Sequence, residues 1–490
     1  MRKLALVGVC VAFTAASAAA QDAATVIANA KKALGDAKSI TYSGSAKDVA
    51  FQQCGANATQ MNCQGPHNPM RPITNYVRVI DLAGPTSRHT GGTNNIGPGG
   101  STVTSQGTFF AQVTPQQADL AQPWANSIEL YLTPWGFLEG ASKSGNATAK
   151  KDGKYTVITW SPAVKAPSGK AYTINGYVNA QNQIERVETW VGENIMGDMH
   201  VVATYSGWKD MGGGAIVPTK IVQTRGGWPF FEVDVTAASL NPPNVAALAP
   251  APAPPAGRGG GPPPGGGPGG PPALTVTQEK LGEGLTRLTT GPGSYDSIVV
   301  EFKDYVMMLE GGQPEARGLA YIAEVKKMYP NKPLRYVWNS HPHADHTGGL
   351  PAFVAEGVTI VTQQNNKEFF ERALNTPRTL LNDSLAKSPK KVKIETIGEK
   401  KVFSDGTRTV EFYHIYPSPH SNGLTVAYIP KEKILFQADY TLPAPGQQPN
   451  DHIKALQAAM EKLNLDFDKY LNVHREAAPQ TKADLMKAGK

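Results

Sequence analysis

The sequence predicts an α+β chain in two unequal styles, on three observations. Period-two apolar patterning runs through most of the front half. Strand and helix patterns alternate through the back half. A stretch made almost wholly of Pro, Gly and Ala separates them at 250–273. The expected organisation is a leader over 1–20, a β-rich domain over 21–240, a linker over 241–273 and a second domain over 274–490. The linker composition cannot bury apolar surface and has no drive to order.

The leader is read as a secretory signal. Arg2 and Lys3 form a positive start, Leu4 to Ala16 an apolar run, and Ala18 to Ala20 a small-residue cleavage site before Gln21. That run is short for a bilayer span of about 20 residues. No other stretch is apolar enough to cross a bilayer, so no stable membrane insertion is expected. Cys10 lies inside the apolar run behind Val9, which argues against lipoprotein processing. The expected location is periplasmic or secreted. Export leaves Cys54 and Cys63, which in an oxidising compartment read as a disulfide; two buried free thiols are the alternative. Lys and Arg exceed Asp and Glu by 47 − 40 = 7, and by 5 once Arg2 and Lys3 are removed. Spread over such a length, that excess does not indicate a nucleic-acid partner.

The front domain should begin with an amphipathic helix. Val26, Ile27, Ala30 and Leu34 share one face, and Gly35 follows as a stop. Strands are then expected from Ile40 onward, at Tyr76 to Leu82, Ile128 to Leu132 and Tyr155 to Trp160. Hairpins are expected between Tyr172 to Val178 and Ile184 to Val191, and between His200 to Tyr205 and Ala215 to Gln223. A last strand fits Phe230 to Val235. Turns at Asn179 to Asn182 and Gly212 to Gly214 separate them. Short antiparallel strands in series indicate an antiparallel curved sheet, or half-barrel. The pattern is similar to periplasmic lipoprotein-carrier half-barrels.

In the back domain, strands are expected at Leu285 to Thr289, Asp296 to Phe302, Tyr305 to Leu309 and Leu334 to Trp338. Further strands fit Thr359 to Thr362, Val392 to Thr396, Val410 to Tyr413, Thr425 to Ile429 and Lys433 to Ala438. Helices fit Arg317 to Met328, Lys367 to Leu374 and Asp451 to Leu463. The strand ending at Trp338 runs into His341-Pro-His343-Ala-Asp345-His346-Thr-Gly-Gly. Zinc takes neutral imidazole nitrogen and carboxylate oxygen, and a catalytic ion keeps one position open. Two histidines two apart in an extended loop can serve one ion. Asp345 and His346, adjacent in the next turn, can be swung toward a second. Gly348 and Gly349 are expected to permit that turn. Four candidate ligands within six residues are hard to explain as packing.

This His-x-His-x-Asp-His run followed by Gly-Gly resembles the signature of the metallo-β-lactamase-fold hydrolases. The resemblance spans the back domain and implies an αββα sandwich. It also implies three further metal ligands on strand-end loops. His420, before the apolar strand Leu424 to Ile429, matches the first. Asp439, at the end of Lys433 to Ala438, matches the second. His474, after Tyr470 to Val473, matches the third, although the family often has Gly on both sides of this His and here Val473 and Arg475 flank it. The resemblance implies one ion held by His341, His343 and His420 and another by Asp345, His346 and His474, with Asp439 shared. It implies zinc as the metal, with iron or manganese able to occupy similar sites, and a metal-bridging hydroxide as nucleophile. Asp345 would orient that nucleophile and move its proton. Thr347 is the nameable candidate for a supporting role behind the ligands.

His414 sits inside a strand pattern and is read as structural. His67, His89, His200 and His452 are read the same way, His452 as a solvated or capping position at a helix start. The family covers lactams, thioesters, lactones, phosphodiesters and sulfate esters. Its commonest zinc β-lactamases carry Cys where Asp439 stands, and a Lys soon after; here Tyr440, Thr441, Leu442 and Pro443 follow. Nucleic-acid-processing members usually add a large insertion, and none is visible between Asp345 and Asp439. The expected function is an exported dinuclear zinc hydrolase of a small-molecule ester, thioester, lactone or lactam. The alternatives are a metallo-β-lactamase proper and a periplasmic carrier of an apolar ligand with an accessory metal domain.

Overall fold

The computed structural model describes residues 22–49, 70–96, 102–112, 123–248, 274–291, 295–443, 448–449, 451–476 and 480–488. The expected signal, the Cys54 and Cys63 pair, His67 and the linker beyond Leu248 lie outside these residues.

Helix α1 (Ala23–Ala33) starts because the Asp22 carboxylate accepts from the backbone N–H groups of Ala24 and Thr25. It buries Val26, Ile27 and Ala30, and ends at Gly35, whose φ of +81° suits glycine. Eleven strands then form one antiparallel sheet. They are β1 (Ser39–Asp48), β2 (Arg71–Asp81), β3 (Thr86–Ile96), β4 (Thr102–Gln112), β5 (Thr148–Asp152), β6 (Tyr155–Trp160), β7 (Ile174–Val178), β8 (Ile184–Glu193), β9 (Gly197–Asp210), β10 (Ile216–Arg225) and β11 (Trp228–Leu240). Their order is β4-β3-β2-β1-β11-β10-β9-β8-β7-β6-β5. Two meanders are therefore joined where β11 returns to β1, with Ile40 opposite Leu240. The turn at Asn179 forms because its Oδ1 accepts from the N–H groups of Gln181 and Gln183.

The segment Ile128 to Leu132, read from sequence as a strand, is the end of helix α2 (Pro123–Tyr131). Trp124, Ile128 and Leu132 are spaced by four, a helical stripe, and all three are buried. A short apolar run is ambiguous between the two periods, and tertiary packing decided it. Helix α3 (Pro134–Lys143), not anticipated, follows at once, capped by the Thr133 hydroxyl. It lies flush on the sheet, since a Cβ on Gly176 of β7 would run into the Phe137 ring. The alternation along β6, with Thr156, Ile158 and Trp160 buried, marks the covered face. That face is thus filled by the chain's own aromatic side chains at β6 and β7. A short helix α4 (Val245–Leu248) ends the front half.

The back half is an αββα sandwich. Strands β12 (Thr277–Gly282), β13 (Leu285–Thr289), β14 (Ser297–Glu301), β15 (Val306–Leu309), β16 (Leu334–Trp338), β17 (Thr359–Gln363) and β18 (Ile394–Ile397) form a seven-stranded sheet in that order. Strands β19 (Lys400–Ser404), β20 (Thr409–His414), β21 (Thr425–Ile429), β22 (Ile434–Gln437) and β23 (Lys469–Asn472) form a five-stranded one. Helices α5 (Glu315–Met328), α7 (Leu350–Glu356), α8 (Lys367–Leu374) and α9 (Ser384–Lys387) belong to the first sheet's side. Helices α10 (Asp451–Leu463) and α11 (Lys482–Lys487) cover the second; the single turn α6 (Ala344–Thr347) lies at the sheet edge. Both sheets are covered on both faces, so their strands are apolar at successive positions rather than alternately. In β14, Ile298 and Val300 enter the core between the sheets while Val299 faces the helices. In β21, Ala427 and Ile429 face inward and Val426 and Tyr428 face α10. Each fully buried side chain of this kind contributes about 1.5–3 kcal/mol.

The two halves share a core. Ile195, Met196 and Trp228 of the front sheet join Phe369, Phe370, Leu380 and Leu385 of the back half in one apolar cluster. Arg372 lies 4.0 Å over the Trp228 ring and donates to the Gly226 carbonyl at 2.7 Å.

Candidate metal centre

The parallel strands β16, β22 and β23 end at one edge of the sandwich, and their outgoing loops carry the polar side chains. Trp338 closes β16 with its indole N–H on the Thr425 hydroxyl at 3.0 Å. Asn339, Ser340 and His341 follow, all fully buried. His343 caps α6, whose turn presents Asp345 and His346. The Thr347 hydroxyl donates to the His343 carbonyl at 2.9 Å, so it ties the turn rather than touching an imidazole. The two glycines behave differently from the sequence expectation. Gly348 and Gly349 have φ of −58° and −87°, which any residue adopts. Space selects glycine here: a Cβ at 349 would sit 2.7 Å from the Gly312 carbonyl oxygen, and one at 348 would sit 2.7 Å from Gln313 Cβ.

The remaining residues arrive from the second sheet. His420 lies between β20 and β21, its N–H on the Ser418 hydroxyl. Asp439 follows β22 with φ of +63°, a left-handed conformation that is uncommon for a non-glycine residue and recurs at functional sites. His474 follows β23, its N–H on Asn472 Oδ1 at 2.8 Å. Arg475 also has a left-handed φ, of +60°. Its guanidinium reaches Asp296 at 3.4 Å, and Arg287 binds Asp296, Glu476 and the Asn472 carbonyl. This buried ionic network holds the loop that a glycine would otherwise make easy.

All seven sequence-selected side chains come together. His341, His343, His420 and Asp439 form one group, and Asp345, His346, His474 and Asp439 another, with donor atoms in each within 4.8 Å of one another. His341 Nε2 lies 3.0 Å from His420 Nε2 and 3.1 Å from Asp439 Oδ2. His346 Nε2 lies 3.0 Å from Asp439 Oδ2 and 3.5 Å from Asp345 Oδ2, and His474 Nε2 lies 2.7 Å from Asp439 Oδ1. A tetrahedral ion with metal–nitrogen bonds of about 2.0–2.1 Å places its donors about 3.3–3.4 Å apart. Nε2 of His346 and His474 and Oδ2 of Asp439 are buried close to one another yet are not aligned for hydrogen bonds. Buried donors and acceptors are rarely left so, and a cation in each group satisfies them. The residues therefore fit two metal ions.

The supporting groups were not legible in the sequence. Glu310, fully buried, accepts from Ser340 N–H at 2.6 Å and faces His346 Nδ1 at 3.3 Å. A carboxylate behind a ligating imidazole fixes the tautomer that leaves Nε2 free. The Ser340 hydroxyl does the same for His341 Nδ1 at 3.0 Å. Tyr295 lies with its ring 4.9 Å from His474 and its hydroxyl 3.3 Å from Asp345 Oδ2, donating to it. Burial, and then Asp345, raise the Tyr295 pKa, so the phenol keeps its proton. Only its contacts mark it, since it stands in an ordinary pre-strand position.

The electrostatics follow from crowding. Burial, with His346 and His343 beside it, holds His341 well below the usual imidazole range, which keeps it neutral. Burial opposes a charge on Asp439, but His346 and His420 outweigh it and hold the carboxyl well below its usual range. Burial likewise opposes a charge on His346, but Asp439, Asp345 and Glu310 push its pKa well above the usual range, and the Nε2 proton held in this way is the one a bound cation would displace.

The other histidines fall elsewhere, with one correction. His414 bonds the Asn422 carbonyl and joins neither group. His89 sits beside Arg78, and His200 stacks on Trp190. His452 is neither solvated nor a cap: it is buried, with its ring 5.0 Å from His420. The turn of α10 that carries it packs against the ligand loop, which its position at a helix start concealed.

Residues 290–472 match the profile of the metallo-beta-lactamase superfamily. Among curated proteins, the chain is 25% identical over 195 residues to 2,4-dinitroanisole O-demethylase subunit alpha from Nocardioides sp. (strain JS1661). That match covers 38% of this chain and 54% of the relative, so the chain spans about half the length of the curated relative it matches. Among solved structures, a metallo-beta-lactamase from Pontibacter korlensis aligns at 17% identity and a TM-score of 0.33, over 43% of this chain and 95% of that one. The FIM-1 metallo-beta-lactamase from Pseudomonas aeruginosa aligns at 14% identity and 0.34, over 44% and 95%.

Proposed function

We propose that the metallo-beta-lactamase superfamily domain of this chain is a dinuclear zinc hydrolase that cleaves a small-molecule ester, thioester, lactone or lactam outside the cytoplasm. The observation that carries this reading is Asp439, whose two carboxylate oxygens face the imidazoles of both groups at 2.7–3.3 Å, with Oδ2 buried among three of them. A carboxylate placed between two imidazole clusters could be shared by a cation held in each. Cations held there would supply Lewis acidity and would lower the pKa of a bound water. The chain's own residues do the rest. Asp345, held by the Tyr295 phenol, can orient that water and receive its proton. Glu310 and Ser340 keep the imidazoles in the binding tautomer.

The residues after Asp439 favour an acyl substrate without a carboxylate to grip. Tyr440 is fully buried with its hydroxyl 3.4 Å from Ser418, and so faces the core instead of the opening. The apolar residues Leu442 and Pro443 come next. The test is elemental analysis of the mature protein beside His343→Ala, with turnover of a panel of aryl esters, thioesters, lactones and lactams. Wild type should carry two metals and turn over at least one class. The variant should lose at least one metal and nearly all turnover. A metal-free, fully folded wild type, or a His343→Ala protein as active as wild type, would overturn the reading.

A further inference from the structure

The metal-binding turn has a support that comes from the other half of the chain. The turn between β8 and β9 points at it. Glu193 Oε2 accepts from Ile195 N–H at 2.9 Å and Met196 N–H at 2.7 Å, which makes the turn rigid. Asn194 then extends its amide to the Gly348 carbonyl at 2.8 Å. Gly348 is the C-terminal cap of α6, two residues beyond His346 and three beyond Asp345. The same hairpin is clamped behind. The Arg378 guanidinium donates to the Asn194 and Ile195 carbonyls and pairs with Asp383, and it is buried. Asp198 accepts from Thr379 N–H at 2.8 Å and Leu380 N–H at 2.9 Å. Gly197, with φ of +64°, has no room for a Cβ, which would sit 2.6 Å from the Pro377 carbonyl oxygen.

We propose that the β8–β9 turn of the front sheet is a built part of the metal centre, with Asn194 a positioning residue for the cation site of Asp345, His346, His474 and Asp439. The proposal rests on the metal-site reading above. α6 is a single turn and cannot hold its own orientation. One end is tied by Thr347 to the His343 carbonyl, and Gly349 N–H donates to the Gly312 carbonyl at 2.6 Å. Asn194 supplies the outward tie at Gly348. There is no slack around it, because Gln313 Cβ and Asn194 Nδ2 already bound the space at 348. Movement of the hairpin must therefore move the turn that presents Asp345 and His346. The other group meets this turn only at His343, and draws His420 from the second sheet and His341 from the end of β16, so it is the less coupled of the two.

The experiment uses full-length protein and zinc ion titrated against a competing chelator, counting each bound ion. Asn194→Ala removes the donor. Asn194→Asp keeps the size and turn preference, so folding is retained, but sets an acceptor against the Gly348 carbonyl. Asp198→Ala loosens the clamp without touching the metal turn. Both Asn194 variants should bind one ion as wild type does and the other about tenfold or more weakly, the usual size of an outer-shell effect. Asp198→Ala should lower the thermal midpoint and weaken the same ion by less than either Asn194 variant does, since the Asn194 amide stays in place. Asn194→Asp protein with two ions at wild-type affinity would overturn the proposal. So would equal losses in all three variants, which would mark a general loosening. A wild type that binds no zinc would instead overturn the metal-site reading itself.

Discussion

Glu310→Gln is the sharpest probe of the centre. The carboxylate is fully buried and does two jobs, accepting from Ser340 N–H at 2.6 Å and facing His346 Nδ1 at 3.3 Å. Glutamine preserves volume, and its Oε1 can keep the Ser340 bond. Its NH2 then points at His346 Nδ1. Two donors cannot face each other, so the imidazole proton moves to Nε2 and blocks the ligand atom. Restoring the binding tautomer costs a buried charge-assisted hydrogen bond, about 1.5–3 kcal/mol. At about 1.4 kcal/mol per decade this is roughly 10–100-fold in affinity, the range found for groups behind metal ligands. The assay is zinc competition against a chromophoric chelator, with elemental analysis after dialysis. Glu310→Gln should release one ion at chelator concentrations where wild type holds two. A variant that keeps both ions at unchanged affinity would refute the tautomer argument, whatever its activity.

Tyr295→Phe should keep both ions and lose about tenfold in turnover, because it removes one hydrogen bond to the charged Asp345, worth about 1.5 kcal/mol or more; the check is steady-state kinetics beside metal content. Arg475→Gly should change stability by less than about 1 kcal/mol in urea, since relief of the left-handed φ offsets loss of the half-exposed pair with Asp296, whereas Arg475→Val should cost more. His89 is pushed down to about 4 by burial and by Arg78. An imidazole with a depressed folded pKa stabilises the neutral form, so its contribution is full above about 6.5 and is lost as pH falls to about 4. Stability should therefore drop by up to about 1.4 kcal/mol per pH unit across that window, and His89→Gln should flatten the slope in pH-resolved urea melts. Gly176→Ala should destabilise the front sheet by about 1–3 kcal/mol through the Phe137 clash and leave metal content unchanged, read by thermal unfolding and elemental analysis.

Periodicity and short-range spacing carried much of this molecule in the sequence alone. The face Val26, Ile27 and Ala30, the hairpins around Asn179 and Gly212, and the buried runs at Ser297 to Leu309 and Thr425 to Gln437 are local patterns that a chain can hardly express in another way. The cluster from His341 to His346 is equally local. His420, Asp439 and His474 were reachable through the family resemblance, which asks for a His ahead of an apolar strand and for an Asp and a His behind one. What sequence could not decide depended on which surfaces meet. Ile128 to Leu132 became helix because Trp124 and Ile128 found a sheet to cover, which no window of neighbours contains. Gly348 and Gly349 are glycines for want of space beside Gly312 and Gln313, not for their dihedral angles. Glu310, Ser340, Tyr295 and Asn194 bear no motif, and His452 bears a misleading one. Ser340 backs its own neighbour His341; the roles of the others come from atoms tens to hundreds of positions away, brought within a few ångströms only when two sheets and a hairpin pack. Ligand type is written in the residue; the tautomer, tilt and support of that ligand are written in the packing.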